Sequence, residues 1–131
     1  MALRLPRTAR LLRPADFAAL RDRSQRVSTR HFTAQYRATQ AAARLGMAVS
    51  RKVSKRAVER NRIRRQIRET FRRTRAQLPS VDLLVIARTS ATTLANPALR
   101  EDLATLWQRL IAAHAAATLN AGEATGTMRA S

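Results

Sequence analysis

The chain has 131 residues, a hydrophobic share of 45% and a formal net charge of +18, a length that suits one domain with a modest core. It contains no cysteine, which excludes disulfides, thiolate metal sites and cysteine nucleophiles. No run approaches the roughly 18 consecutive apolar residues of a membrane span. Such a charge balance selects partners with dense negative charge, nucleic acid first and anionic membrane second. The cations are Arg almost throughout, with Lys52 and Lys55 as the lysines, and the planar guanidinium suits phosphates and stacks on bases.

In chain order, residues 1–13 are Arg-rich and free of acids. That composition resembles a transit peptide, but the stretch is short, and Pro6 and Pro14 break any long amphipathic helix; it reads as a basic arm. A domain is expected over 14–117. Pro14–Arg21 suits a short first helix, with Pro near its first position and Asp16 in its first turn. Phe17 and Leu20 form its apolar edge. Residues 23–29 read as a basic loop. His31–Arg37 alternates, with Phe32, Ala34 and Tyr36 on one face and Thr33, Gln35 and Arg37 on the other, as a half-buried strand does. Leu45–Ser50 is a second strand, leading into Arg51 and Lys52.

A long basic helix follows. Ser54 is the expected N-cap, and from Lys55 to about Leu78 there is neither Gly nor Pro among good helix formers, a span of about 35 Å. Ile63, Ile67, Phe71, Thr74 and Leu78 fall within an arc of about 80°. Asn61, Arg65, Arg68 and Arg72 point the opposite way, flanked by Arg62 and Arg73 on one side and by Arg64 and Arg75 on the other. Like charges at i,i+4, such as Arg64/Arg68/Arg72, repel by a few tenths of a kcal/mol per pair, and Glu59 and Glu69 are too few to offset them. A polyanion would relieve the repulsion.

Pro79 and Ser80 stop that helix. Val81–Ala87 is a third strand whose continuous apolar run suggests burial on both faces. The last helix starts at Asn96 as N-cap with Pro97 next, and Glu101 and Asp102 are assigned to its first turn. Leu99, Leu103, Leu106, Trp107, Leu110 and Ile111 form its apolar face, with Trp107 read as core. From Thr118 the chain is rich in Ala, Gly and Thr without an apolar period, and 118–131 is expected to be a disordered tail.

Catalytic chemistry is missing from this pattern. The eight acids are scattered, the two histidines have no ligand spacing, and with Gly46, Gly122 and Gly126 as the glycines no phosphate-cradling loop is available. A nuclease acting alone needs clustered carboxylates or an acid and base in mutual reach. The chain reads as a binder, with no cofactor of its own.

Arg60-Asn61-Arg62-Ile63-Arg64-Arg65, preceded by Leu45–Lys52 and followed by Ile67–Arg72, resembles the bacterial ribonuclease P protein subunit. The likeness extends over about residues 8–114, through Asp16 and Phe17, Ile86-Ala87-Arg88 and Leu106-Trp107. It implies an α+β fold, a single-domain α/β sandwich whose small central sheet is packed by helices, with a left-handed strand–helix–strand crossover around the basic helix. It implies a cytoplasmic ribonucleoprotein endonuclease: a catalytic RNA, using Mg2+ that the RNA holds, removes the 5′ leader of precursor tRNA, and the protein grips both RNAs. No membrane and no obligate protein partner are implied.

Carried onto this chain, Arg60, Asn61 and Arg62 take the motif positions near the RNA, and Arg51 and Lys52 match the basic pair at the strand end. Helix geometry adds Arg65, Arg68 and Arg72, and Lys55 and Arg64 complete the expected RNA-binding set. The expected leader-binding set is Phe17, Arg21, Gln35 and Ser50. Two members depart from the family pattern, because Arg21 and Gln35 stand where aromatics often occur. Leader binding here is therefore expected to use charge and hydrogen bonds more than stacking. General RNA binding without a catalytic partner is the second reading, and a membrane-active basic helix, disfavoured by the narrow apolar stripe, the third.

Overall fold

The computed structural model describes residues 24–130, with side chains to residue 117. In chain order it comprises β1 (Gln25–Ser28), β2 (Phe32–Ala38), β3 (Arg44–Ala48), α1 (Ala57–Thr74), β4 (Val81–Ala87) and α2 (Asn96–Ala130), with 3-10 turns at Arg75–Gln77 and Thr89–Thr93. The expected basic arm, and the first helix carrying Phe17 and Arg21, lie outside the described residues. No helix among them is long and apolar enough to cross a membrane.

The strands form one sheet in the order β1-β2-β4-β3. β4 lies between β2 and β3, antiparallel to the first and parallel to the second. Parallel neighbours cannot be joined by a tight turn, and α1 supplies the crossover. Register divides the sheet into two faces. Phe32, Ala34 and Tyr36 stand beside Ala87, Val85 and Leu83 on the inner face, and all six are at most 5% exposed. On the outer face Thr33, Gln35 and Arg37 stand beside Ile86, Leu84 and Asp82.

Both helices close the inner face. Ile63, Ile67 and Phe71 of α1 are fully buried, as are Leu99, Leu103, Leu106 and Leu110 of α2. The helix phase read from sequence therefore holds. Trp107 belongs to this core at 1% exposure, its ring edge-to-face with Phe71 at 5.9 Å and 62°, a pairing that contributes about 0.5–1.5 kcal/mol beyond area burial. Tyr36 donates from Oη to Gln25 Oε1 at 3.0 Å, and burial raises its pKa, keeping the phenol a donor.

Several local expectations are corrected. β1 forms where a loop was expected, because Gln25–Ser28 pairs along β2 and sets Val27 against the core. Arg109 donates to the Ser28 carbonyl at 2.6 Å, occupying a group of this edge strand. Helix α1 begins at Ala57 after an extended Arg56 that makes no side-chain cap; the Ser54 hydroxyl instead accepts from the Arg56 amide at 3.1 Å. The buried side of α1 is wider than its apolar stripe, since Gln66 and Thr70 are buried too. Thr70 is admitted by donating to the Gln66 carbonyl at 2.8 Å, and Gln66 Oε1 accepts from Arg100 of α2 at 3.3 Å.

In α2, no acid sits in the first turn. Asp102 reaches across to the β1–β2 turn, accepting from the Thr29 hydroxyl at 2.6 Å and the His31 amide at 3.3 Å. Helical backbone continues to Ala130, past Thr118 where the sequence suggests an unstructured tail. Among the residues whose side chains are described, the last ones packed in or against the core are Leu110, Ile111 and Ala113.

On the outer face, β4 is less buried than its sequence suggests: Leu84 and Ile86 are half-buried. Asp82 is fully buried. Arg44 holds it in a fork, Nε to Oδ1 at 2.8 Å and Nη2 to Oδ2 at 2.7 Å, while Arg37 approaches Oδ2 at 3.8 Å. The pair fastens edge strand β3 to β4.

Two outcomes test this account. Ile67→Ala should lower unfolding stability by about 2–5 kcal/mol, and Ile67→Asp should abolish the cooperative melt in calorimetry because it buries an unpaired charge. Asp82→Ala removes the buried acceptor of two guanidinium groups that are themselves about one-third exposed, and denaturant titration should register a loss of about 1–3 kcal/mol.

Candidate nucleic-acid interface

Burial of Ile63, Ile67 and Phe71 forces the rest of α1 outward or onto its margins. Asn61, Arg65, Arg68 and Arg73 are exposed. The side chains of Arg65, Arg68 and Arg73 make no hydrogen bond or ion pair with the described residues. Arg72 is half-buried, and its Nε is buried without a partner. These groups give α1 an outward strip of positive charge free to meet an external acceptor.

The remaining arginines of this helix behave differently, because they flank the buried stripe and meet backbone carbonyls. Arg60 Nη1 donates to the carbonyls of Ser54 and Lys55 at 2.9 and 3.0 Å. Arg64 donates to the Val49 carbonyl at 2.9 Å and to Asn61 Oδ1 at 3.1 Å. Arg75, in the turn after the helix, donates to the Ala43 carbonyl at 2.9 Å. Arg62 is the most engaged of all. It donates twice to Glu59, at 2.8 and 3.0 Å, and also to Leu94 O at 2.8 Å, Asn96 Oδ1 at 2.9 Å and Thr92 O at 3.5 Å. Periodicity in the sequence sets Arg62 and Arg64 on the flanks of the outward face, and the family resemblance sets Arg60 and Arg62 near the RNA; in the fold each of the three is bonded to the protein.

The loop between β3 and α1 adds a second group of cations. Val53 is buried and anchors it, and the turn closes through Val53 N to Ser50 O at 3.0 Å and Lys52 N to Ser50 Oγ at 3.2 Å. Ser50 thus acts as a turn residue while its side remains exposed. Arg51, Lys52, Lys55 and Arg56 are exposed around it, leading directly into α1. Val58, 70% exposed in the first turn, is the one large exposed hydrophobic among the described residues.

Gln35 lies on the other side of the sheet from α1. It is buried at 8%, across from Arg26 and Leu84, and with its amide oxygen turned to the neighbouring guanidinium it accepts from Arg26 Nε at 3.0 Å. Arg88 crosses toward the same face and donates to Thr33 Oγ1 at 2.9 Å. The expected RNA-binding and leader-binding residues therefore occupy two surfaces, the α1 side and the outer sheet face; Phe17 and Arg21 fall outside the described residues. Arg26 is absent from the expected set because 23–29 reads as loop in the sequence, and Arg88 because it stands just past the end of the apolar third strand. Reading 25–28 as a strand would have put Arg26 beside Gln35.

Among the described residues no three of His, Cys, Asp and Glu gather as a metal site. His31 pairs through Nδ1 with Ser90 Oγ at 2.8 Å, while Asp102 bonds the His31 backbone rather than its ring. This is a structural tie with no hydrolytic triad geometry.

A sequence model of the ribonuclease P family matches residues 5–111. The ribonuclease P protein component of Psychrobacter sp. is 38% identical over 115 residues, covering 86% of this chain and 88% of that protein. That of Salmonella arizonae is 41% identical over 108 residues, covering 82% and 91%. Among solved structures, the Staphylococcus aureus RNase P protein superposes with a TM-score of 0.73 at 28% identity, covering 79% of this chain and 97% of that one. The Thermotoga maritima RNase P protein gives 0.68 at 29%, covering 76% and 96%. With its mixed four-stranded sheet, its basic crossover helix and these matches along most of its length, the chain belongs to the ribonuclease P protein component family.

Proposed function

We propose that this protein binds the catalytic RNA of ribonuclease P and the 5′ leader of precursor tRNA, assisting Mg2+-dependent, RNA-catalysed removal of the leader. The observation that carries the reading is the strip of partnerless guanidinium groups on α1, continued by the cations of the 50–56 loop. A surface of this kind matches a polyphosphate backbone, whose bound counterions are released as the cations replace them. Arg65, Arg68, Arg51, Lys52 and Lys55 take the catalytic RNA, with Asn61 adding a neutral donor and acceptor beside them. The Mg2+ belongs to the RNA, and the protein contributes grip and orientation.

The leader follows the outer sheet face. There Arg26, Gln35 and Arg88 offer hydrogen bonds beside the half-buried apolar surface of Leu84 and Ile86. Without a strand aromatic, a base in this cleft is held by polar contacts to its edge and by the flat guanidinium of Arg26. Phe17, Arg21 and Ser50 complete the leader set. The setting is the cytoplasm, where precursor tRNA is processed.

Cleavage of a precursor tRNA by a bacterial ribonuclease P RNA at low Mg2+, with and without the protein, tests the reading. Stimulation that grows with leader length is expected; tight RNA binding with no stimulation would replace this role with general RNA binding. In filter-binding titrations against salt, Arg65→Ala or Arg68→Ala should weaken RNA binding and reduce the slope of log K by up to about one unit. An unchanged slope would remove those residues from the interface.

A further inference from the structure

We infer that Arg62, in the middle of the basic motif, is a positioning residue that sets α1 against the start of α2 and does not itself hold RNA. The inference rests on the RNA-binding role proposed above and assigns Arg62 a different part in it from its neighbours.

A guanidinium carries five N–H donors, and the five contacts of Arg62 account for them. Nε and one Nη2 hydrogen go to Glu59 Oε1, the two Nη1 hydrogens to Leu94 O and Asn96 Oδ1, and the other Nη2 hydrogen to Thr92 O. The side chain is 24% exposed, and Glu59 already neutralises it at 2.8 Å. A phosphate approaching Arg62 would find no donor left and would have to displace a carboxylate and three further acceptors. Arg65, one turn along, is exposed and holds no acceptor among the described residues.

The acceptors of Arg62 come from two places. Glu59 lies on the same helix, one turn back. Thr92, Leu94 and Asn96 belong to the segment joining β4 to α2. The guanidinium therefore fixes the first turns of α1 to that segment, and through them the direction in which Asn61, Arg65 and Arg68 project. Lysine keeps the charge at this position but cannot reproduce the planar fork. The Asn96 side-chain oxygen serves Arg62, and because Asn96 is neutral its truncation probes the tie while leaving every cation of the surface in place.

The experiment uses the full chain with a bacterial ribonuclease P RNA, measuring binding across a salt series well below each variant's melting temperature, beside Arg65→Ala. Arg62→Lys and Asn96→Ala should each weaken binding by roughly three- to thirtyfold while keeping the wild-type salt slope. Adding Asn96→Ala to Arg62→Ala should cost little more than Arg62→Ala alone. A slope lower by about one unit for Arg62→Ala, with Asn96→Ala binding as wild type, would overturn the inference and make Arg62 a phosphate contact. Wild-type affinity in both Arg62→Lys and Asn96→Ala would overturn it too, leaving Arg62 a stabilising contact alone. Absence of cleavage stimulation by the wild-type protein would count against the ribonuclease P role, while the salt series would still judge Arg62.

Discussion

The seating of α1 is the constraint on which the rest of the structure depends. Its apolar contribution is small, with Ile63, Ile67 and Phe71 carrying most of it, and arginines crowd both margins. Bringing those margins against the sheet strips water from guanidinium groups, which is costly unless acceptors replace it. The fold supplies these acceptors from backbone that would otherwise need its own partners: Val49 at the end of β3, Ala43 before it, Ser54 and Lys55 in the loop, and Leu94 ahead of α2. The same bonds that make the helix tolerable against the core also place the loops around it. Charge on this helix is therefore partly internal scaffolding and partly surface.

That division explains how much was legible in the sequence. The phase of α1 followed from its isoleucines and Phe71, and the apolar face of α2 from its leucines, because burial imposes a period that composition displays. Which arginines bond to the fold and which stay without a partner among the described residues was not legible. Arg62 and Arg65 differ by one turn and have the same chemistry, yet one meets Leu94 and Asn96, more than 30 residues away in sequence, and the other is exposed without a partner among the described residues. No local pattern encodes such a meeting. β1 was obscured for a related reason: with Val27 as its single inward apolar residue, its strand character comes from pairing with β2. Asp102 was misread as a helix-end charge because its true partners, Thr29 and His31, are likewise distant in sequence.

The sheet's outer face shows a complementary economy. Among the described residues no helix covers this face, which carries rows of polar groups across the strands, Arg26 beside Gln35 and Arg37 with Arg44 around Asp82. Leu84 and Ile86 between these rows stay half-buried. The face is satisfied enough to be stable and polar enough to meet a nucleotide strand, with its side chains held in place by bonds to one another. Preorganisation of this kind reduces the entropy lost on binding.

The position of β4 between β2 and β3 has a consequence for the order of events during synthesis. A chain emerging from its N-terminal end presents the β1–β2 hairpin, then β3, then the whole of α1, before any residue of β4 exists. Until Val81–Ala87 appears, β3 has no neighbour in the sheet and the inner face has no centre for the helix to rest on. Pairings so far apart in sequence are slow to form. The most basic segment is thus made before the strand that seats it, so its cations exist in the nascent chain before the fold can array them as a shaped surface.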